Sequence, residues 1–315
     1  MQIELNFTKK QLFLALGTSL MAGVFFLAVQ VVLYFNFQYE KSLIENDNLI
    51  SISEGLKNRK FSNLSLAATS YLVWDIREQK VISSLNEEMQ LPLASLTKLM
   101  TTYIVSNSAR YDSVLTIKDE NLKKEGDSGL LLGEKWSLAN LIDFVLISSS
   151  NDGANALASL VYSLESDLVQ EDFTKKMNNT AKDLGMAQSF FLNETGLDIN
   201  EKVSGAYGSV KDTVILLENI LENNPTLMSA SVEKNKLIDS DITTHKISNT
   251  NIIVDKLPGV LASKTGFTDS AGGNLIMAFD IGLGHNIIIS VLGSTKEERF
   301  EDMEKLFWAS LKKIN

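Results

Sequence analysis

Two groups of strand-like segments stand at opposite ends of a helix-rich middle, and this order narrows the fold more than any other feature of the chain. At the front, "SYLVWD" and "KVISSLN" flank the turn "IREQ" and read as a hairpin. At the back, "NIIV", "VLASKTGFT", "GNLIMAFDI" and "HNIIISVLGS" read as strands, with Gly-containing turns between the later ones. Helical patterns fill the space between: "ASLTKLMTTYIV", "SLANLIDFVLI", "NDGANALASLVYSLE", "EDFTKKMNNTAKDLG" and "GSVKDTVILLENILENN". A last amphipathic helix, "KEERFEDMEKLFWASLKKI", carries Phe300, Met303, Leu306, Phe307 and Leu311 on one face. The expected fold is α/β in the α+β sense: an antiparallel sheet flanked by helices, with a mostly α-helical subdomain set between its halves.

Ahead of this region, Gln11 to Phe37 runs for 27 residues without a charge. Roughly 20 apolar residues suffice to cross a bilayer. Lys9 and Lys10 precede the run, which places the N-terminus in the cytoplasm by the positive-inside rule. The run is long for the apolar core of a signal peptide, and no clear A-x-A cleavage site follows it. The expected organisation is a cytoplasmic tail (1–10), a transmembrane anchor (11–37), a polar stalk (38–66) and a globular domain (67–315) on the outer side of the cell membrane.

Composition removes several function classes. The net charge of −10 argues against a nucleic-acid partner, because phosphate binding needs a basic face. The absence of cysteine excludes disulfides and thiolate metal sites. The chain has only two histidines, His245 and His285, so a three-histidine metal site cannot form. Ser-His-Asp chemistry would have to use one of these two, and both read as structural or surface residues.

Three short patterns could carry chemistry. Ser95 and Lys98 share one face of an apolar helix, where a buried lysine with a lowered pKa can take a serine's proton. S-x-x-K alone says little, since it occurs three times: "SLTK" at 95, "SVEK" at 231 and "SLKK" at 310. The latter two sit in polar surroundings and read as solvated surface. Ser149 and Asn151 lie where an apolar helix breaks into a loop, and Ser149, Ser150, Asn151 or Asp152 could each cap the next helix. Lys264, Thr265 and Gly266 sit inside a strand pattern, where a glycine often marks close approach of a ligand or another backbone. A plain hairpin strand with a solvated lysine is the bland alternative.

Taken in order along the chain, S-x-x-K, S-x-N and K-T-G resemble the closely related motif sets of class A β-lactamases and penicillin-binding proteins. The chain resembles the serine D-alanyl-D-alanine carboxypeptidases, the low-molecular-mass penicillin-binding proteins of peptidase family S11. The likeness includes "YLVWD", "ASLTKLMTTYIV", "GEKWSLANLIDFVLISSSNDGANALA", "FLNETGLD", "SNTNIIV" and "LASKTGFTDSAGGNLIMAF", and runs from Ser70 to Trp308. One departure is Ser150, which stands where glycine is common. Many members also carry a C-terminal β-domain and an amphipathic tail anchor, and here the N-terminal run is expected to replace that tail.

The resemblance implies a β-lactamase/DD-peptidase-like fold and a set of roles. Ser95 would be the acylated nucleophile, Lys98 its general base and Ser149 a proton relay to the leaving group. Asn151, Lys264, Thr265, Gly266, Phe267 and Thr268 would bind substrate, with the backbone N–H groups of Ser95 and Phe267 as the oxyanion hole. The substrate would be a peptidoglycan stem peptide ending in D-Ala-D-Ala, lying antiparallel along the K-T-G strand. β-Lactams would act as covalent inhibitors, and no metal or cofactor is implied. The same residues would serve D,D-endopeptidase action on peptide cross-links. A β-lactamase would need a glutamate for deacylation in an E-x-x-x-N-type loop, and no convincing equivalent lies between Asn151 and Lys264. A non-enzymatic wall-binding or β-lactam-sensing protein is a further reading, disfavoured because every motif side chain is present.

Overall fold

The structure, a computed structural model, describes residues 64–314 apart from 124, 127–128 and 165–171. The expected anchor and nearly all of the stalk lie outside the described residues, among which no helix is long and apolar enough to cross a membrane.

Strands β1 (Ser70–Asp75), β2 (Lys80–Leu85) and β3 (Leu91–Pro92) lead to a 3-10 turn, Ala94–Leu96, and helix α1 (Thr97–Ser108). A ribbon of β4 (Val114–Thr116) and β5 (Lys135–Ser137) precedes α2 (Leu138–Ser148), α3 (Asn151–Leu164) and α4 (Phe173–Asp183). Next come β6 (Phe190–Phe191), β7 (Ala206–Gly208), α5 (Val210–Asn223), β8 (Asn235–Asp239) and β9 (Thr244–Ser248). The chain continues through β10 (Val260–Thr268), β11 (Gly272–Asp280), β12 (Asn286–Ser294) and α6 (Glu298–Ile314).

The main sheet has five antiparallel strands in the order β10-β11-β12-β1-β2. The first hairpin therefore closes onto the last three strands, and the helices between form the inserted subdomain, as the element order suggested. Helix α5 meets β12 through the Thr213 and Ser290 hydroxyls, 2.8 Å apart, while α6 sets Phe307 against Phe279 with ring centroids 4.5 Å apart. Ser290 pairs with Ile276 across the sheet, three residues from Phe279, so these two contacts lie on opposite faces. Phe300, Met303, Leu306, Phe307 and Leu311 are all buried, the face their spacing predicts.

Helix α2 is apolar almost all round because it runs through the core. Leu141, Phe144, Val145, Leu146 and Ile147 are each at most 1% exposed. A fully buried side chain of this size contributes roughly 1.5–3 kcal/mol by leaving water. That burial fixes where α2 ends, and its C-terminal end carries Ser149.

Two local expectations need correction, and one hairpin carried no signal in the sequence. "NIIV" is a turn, not a strand, because two asparagine side chains take the backbone donors a ladder would need. Asn249 Oδ1 accepts from Asn251 N at 2.8 Å, and Asn251 Oδ1 accepts from Ile253 N at 3.1 Å. Ser231 and Ser310 are buried rather than solvated: each hydroxyl donates to a backbone carbonyl, of Met228 and Leu306 respectively. Their S-x-x-K lysines still point elsewhere, Lys234 to Asp255 and Lys313 to the Ile82 carbonyl. The β8–β9 hairpin carries too weak an alternation to read in advance, with only Ile238 and Ile247 buried. It is held by the buried Glu134 carboxylate, which accepts from Ser240 and pairs with His245. His285 pairs with Asp75, so neither histidine belongs to the Ser95 cluster.

Candidate active site

The turn bearing Ser95 is shaped by two close backbone approaches and one side-chain tie. Ala94 has φ +47°, a conformation L residues avoid at a cost of roughly 1–2 kcal/mol. Gly196, at φ +79°, lies so near that a Cβ there would fall 1.9 Å from the Ala94 carbonyl oxygen. Gly266 of K-T-G faces the same turn, where a Cβ would stand 2.9 Å from Leu93 O and 3.2 Å from Ser95 N. On β11, Asn274 donates to Pro92 O at 2.9 Å and ties the approach to the sheet. Gly196→Ala is expected to destabilise the protein by more than about 2 kcal/mol, since left-handed strain adds to a backbone clash; urea unfolding measures it.

Lys98 is fully buried in the first turn of α1. Its Nζ lies 2.8 Å from Ser95 Oγ, 2.7 Å from Asn151 Oδ1 and 2.9 Å from the Thr195 carbonyl. Burial strips water from the ammonium and lowers its pKa to about 7, with the Glu194 carboxylate pulling the other way. The Thr195 carbonyl is set in place by Asn193, whose Oδ1 accepts from Thr195 N at 3.1 Å and Gly196 N at 2.7 Å.

The loop between α2 and α3 divides the work among its polar residues. Ser150 caps α3, its Oγ accepting from Gly153 N at 2.8 Å, which gives this serine a structural role of its own. Ser149 closes α2 in the left-handed region, φ +63°, and Asn151 faces Lys98 while donating to the Glu125 carbonyl at 2.7 Å.

From β10, Lys264 Nζ donates to Ser149 Oγ and to Thr265 O, both at 2.8 Å. Burial lowers its pKa well below the ordinary lysine value, and the Lys98 and Arg299 charges push the same way. The Thr265 hydroxyl lies 2.6 Å from that of Thr250. Arg299 Nη1, from the first turn of α6, donates to Gly266 O at 2.6 Å. β10 is an edge strand, hydrogen-bonded only to β11 within the sheet. Ser95, Lys98, Ser149, Asn151, Lys264 and Thr265 are thus drawn together. Phe267 is partly exposed beneath Lys296, and Thr268 turns its hydroxyl away to Asp198, 3.2 Å distant.

The family model for D-alanyl-D-alanine carboxypeptidases of peptidase family S11 matches residues 57–296. The chain belongs to that family. Among its relatives, the D-alanyl-D-alanine carboxypeptidase DacC of Escherichia coli is 31% identical over 77% of this chain and 60% of its own length. DacF of Bacillus subtilis is 28% identical over 79% of this chain and 63% of its own length. The chain therefore spans about three fifths of these curated relatives. A solved structure, penicillin-binding protein D2 from Listeria monocytogenes in its ampicillin-bound form, superposes with a TM-score of 0.67. That pair shares 30% identity, covering 78% of this chain and 98% of the other.

For this S11 member, motif reading finds the cluster around Ser95 and Lys98 and misses Thr195, Glu194, Thr250 and Arg299, which adjoin it. Thr195 acts through a main-chain oxygen, which no side-chain pattern reveals. Glu194 and Thr250 lay within "FLNETGLD" and "SNTNIIV", segments recognised as landmarks without a role. Arg299 had no signal, because it reaches the site from the start of a surface-patterned helix.

Proposed function

We propose that this chain is a serine-type D-alanyl-D-alanine carboxypeptidase that trims stem peptides through an acyl-enzyme on Ser95. The observation that carries the proposal is the set of partners around Lys98 Nζ. A neutral amine has two N–H donors and one lone pair. The Asn151 and Thr195 oxygens take the two donors, which leaves the lone pair facing the Ser95 hydroxyl. With a pKa near 7, a large share of Lys98 is ready to accept a proton at neutral pH.

In this mechanism the substrate lies along the free edge of β10, its terminal carboxylate held by Lys264 and Thr265 with Arg299 adding positive charge. The scissile carbonyl oxygen points to the N–H groups of Ser95 and Phe267, where Gly266 allows the two backbones to meet; such donors are commonly worth about 3–4 kcal/mol. Ser95 Oγ attacks as Lys98 takes its proton. Ser149, bonded to Lys264, gives its proton to the departing amine and is reprotonated at the expense of the proton Lys98 took from Ser95, so D-alanine leaves and Lys98 is neutral again. Water then attacks the Ser95 ester, with Lys98 again as base. β-Lactams would acylate Ser95 by the same steps, in keeping with the ampicillin- and cefotaxime-bound forms of the Listeria relative. The 27-residue uncharged run behind Lys9 and Lys10 supports an N-terminal membrane anchor with this domain on the wall side.

The test is mass spectrometry of a pentapeptide stem incubated with the protein: loss of one alanine supports the proposal, and an unchanged peptide refutes it. The pH profile gives a second check. Protonated Lys98 cannot act as base, so acylation is expected to fall as pH drops through about 7 and to level off above it. Glu194→Gln removes the charge that raises the Lys98 pKa, so it should move this acid limb to lower pH. Penicillin acylation rates across pH measure both.

A further inference from the structure

Helix α3 is apolar on most sides, with Ala154, Ala156, Leu157, Ala158 and Val161 buried. One line of polar residues interrupts it: Asn151, Asn155 and Ser159 recur at every fourth position, which stacks them along a single face. Packing gives no reason for them, since alanine would sit there with better helix propensity. Asn151 has its task at Lys98, and the other two belong to a chain of hydrogen bonds that leads towards the same lysine.

That chain starts at the buried Asn121, in the turn after β4. Asn121 Oδ1 accepts from Lys118 N at 2.8 Å, so its amide nitrogen faces α3 and donates to Asn155 Oδ1 at 2.9 Å and Ser159 Oγ at 3.2 Å. With its oxygen taken, Asn155 turns Nδ2 to Glu194 Oε1, 2.9 Å away. The main chain of this stretch is held separately. The Glu194 carbonyl accepts from Thr101 at 2.6 Å, and Asn193 Oδ1 accepts from Thr195 N and Gly196 N. Asn155 therefore governs where the Glu194 carboxylate lies and leaves the Thr195 carbonyl to others. Oxygens of Ser95, Asn151 and Thr195 already surround Lys98 Nζ, so the carboxylate acts on the lysine through space rather than by contact. Among the described residues, the charges that bear on Lys98 are Glu194 and, from β10, Lys264; Asn155 and Asn121 add none.

We infer that Asn155 is a positioning residue for the reaction at Ser95: backed by Asn121, it holds the Glu194 carboxylate within electrostatic reach of Lys98 and so sets the acid limit of acylation. The inference rests on the proposed acyl-enzyme reading. A carboxylate fixed in a partly buried place favours the charged ammonium, whereas one that swings into water is screened. Glu194 is half-buried and can reach water once its amide partner is gone. Loss of Asn155 should then act in the same direction as loss of the Glu194 charge. Lys98 gives up its proton more readily, and acylation persists to lower pH.

The experiment measures fluorescent-penicillin acylation rates of the full chain from about pH 5 to about pH 9. It compares wild type, Asn155→Ala, Asn155→Ser, Glu194→Gln and the Asn155→Ala, Glu194→Gln double variant. Both Asn155 variants remove the amide donor, so either carries the test if the other fails to fold. At about pH 6, the rate as a fraction of each protein's own plateau should rise about twofold or more over wild type in both. The double variant should match Glu194→Gln, because the two residues act as one unit. An asparagine with a merely structural role would lower the plateau and leave that fraction unchanged, which overturns the inference. So does a limb that moves to higher pH, or a double variant that moves further than Glu194→Gln alone. If wild type is acylated at no pH, the Ser95 reading falls and this inference with it.

Discussion

Ser95→Ala is expected to reduce D-alanine release by on the order of 10⁴-fold or more, because the proposed acyl-enzyme forms on its hydroxyl. Its thermal midpoint should stay close to that of wild type. Ser95 is half-buried, and its backbone position is set by Leu93, Ala94 and Gly196 rather than by its hydroxyl. The hydroxyl's described partner is Lys98 Nζ, which keeps the Asn151 and Thr195 oxygens after the substitution. Steady-state kinetics and a melting curve on the same sample separate lost chemistry from lost fold. Residual turnover above about one per cent of wild type would place the nucleophile elsewhere.

The second large effect concerns Lys98. Lys98→Ala is expected to slow acylation by about 10²–10⁴-fold, the usual worth of a positioned general base. Lys98→Arg separates two accounts of the residue. If Lys98 served as a fixed positive charge, arginine would restore much of the rate. As a base it cannot be replaced so, because a guanidinium stays protonated at any working pH. Arginine is therefore expected to be as slow as alanine, and stopped-flow labelling with a fluorescent penicillin measures both. Lys264 is equally buried and would not behave alike. Its Nζ donates to Ser149 and to the Thr265 carbonyl rather than to Ser95. Its loss should weaken carboxylate binding as well as turnover.

Much of this arrangement was legible in the sequence, and the reasons differ by residue. The sheet and the long helices follow from periodicity: "VLASKTGFT" is β10 residue for residue, and "SYLVWD" is β1. Ser95, Lys98, Ser149, Asn151 and Lys264 could be singled out because each meets its neighbours through its own side chain and lies within a short motif. The competition among four candidate caps could not be resolved from residue types, since Ser149, Ser150, Asn151 and Asp152 can all accept from a helix N-terminus. Folding gives the cap to Ser150 and leaves Ser149 to Lys264 and Asn151 to Lys98. Likewise, the glycine of K-T-G signalled close approach, but only the fold shows that the approaching backbone belongs to Leu93, Ala94 and Ser95. "NIIV" misled because β-branched residues suggest a strand, whereas Asn249 and Asn251 redirect the backbone donors into turns. That turn holds Thr250 against Thr265, a contact between residues 15 positions apart that no local pattern encodes.

The most direct test of the account is to locate the covalent adduct. The protein is exposed briefly to ampicillin, quenched in acid, digested and mapped by mass spectrometry. The account predicts one addition, of the mass of intact ampicillin, on the peptide containing Ser95 and none on the peptides containing Ser149, Ser231 or Ser310. An adduct on any of those serines, or an unmodified Ser95 peptide after full exposure, would contradict it.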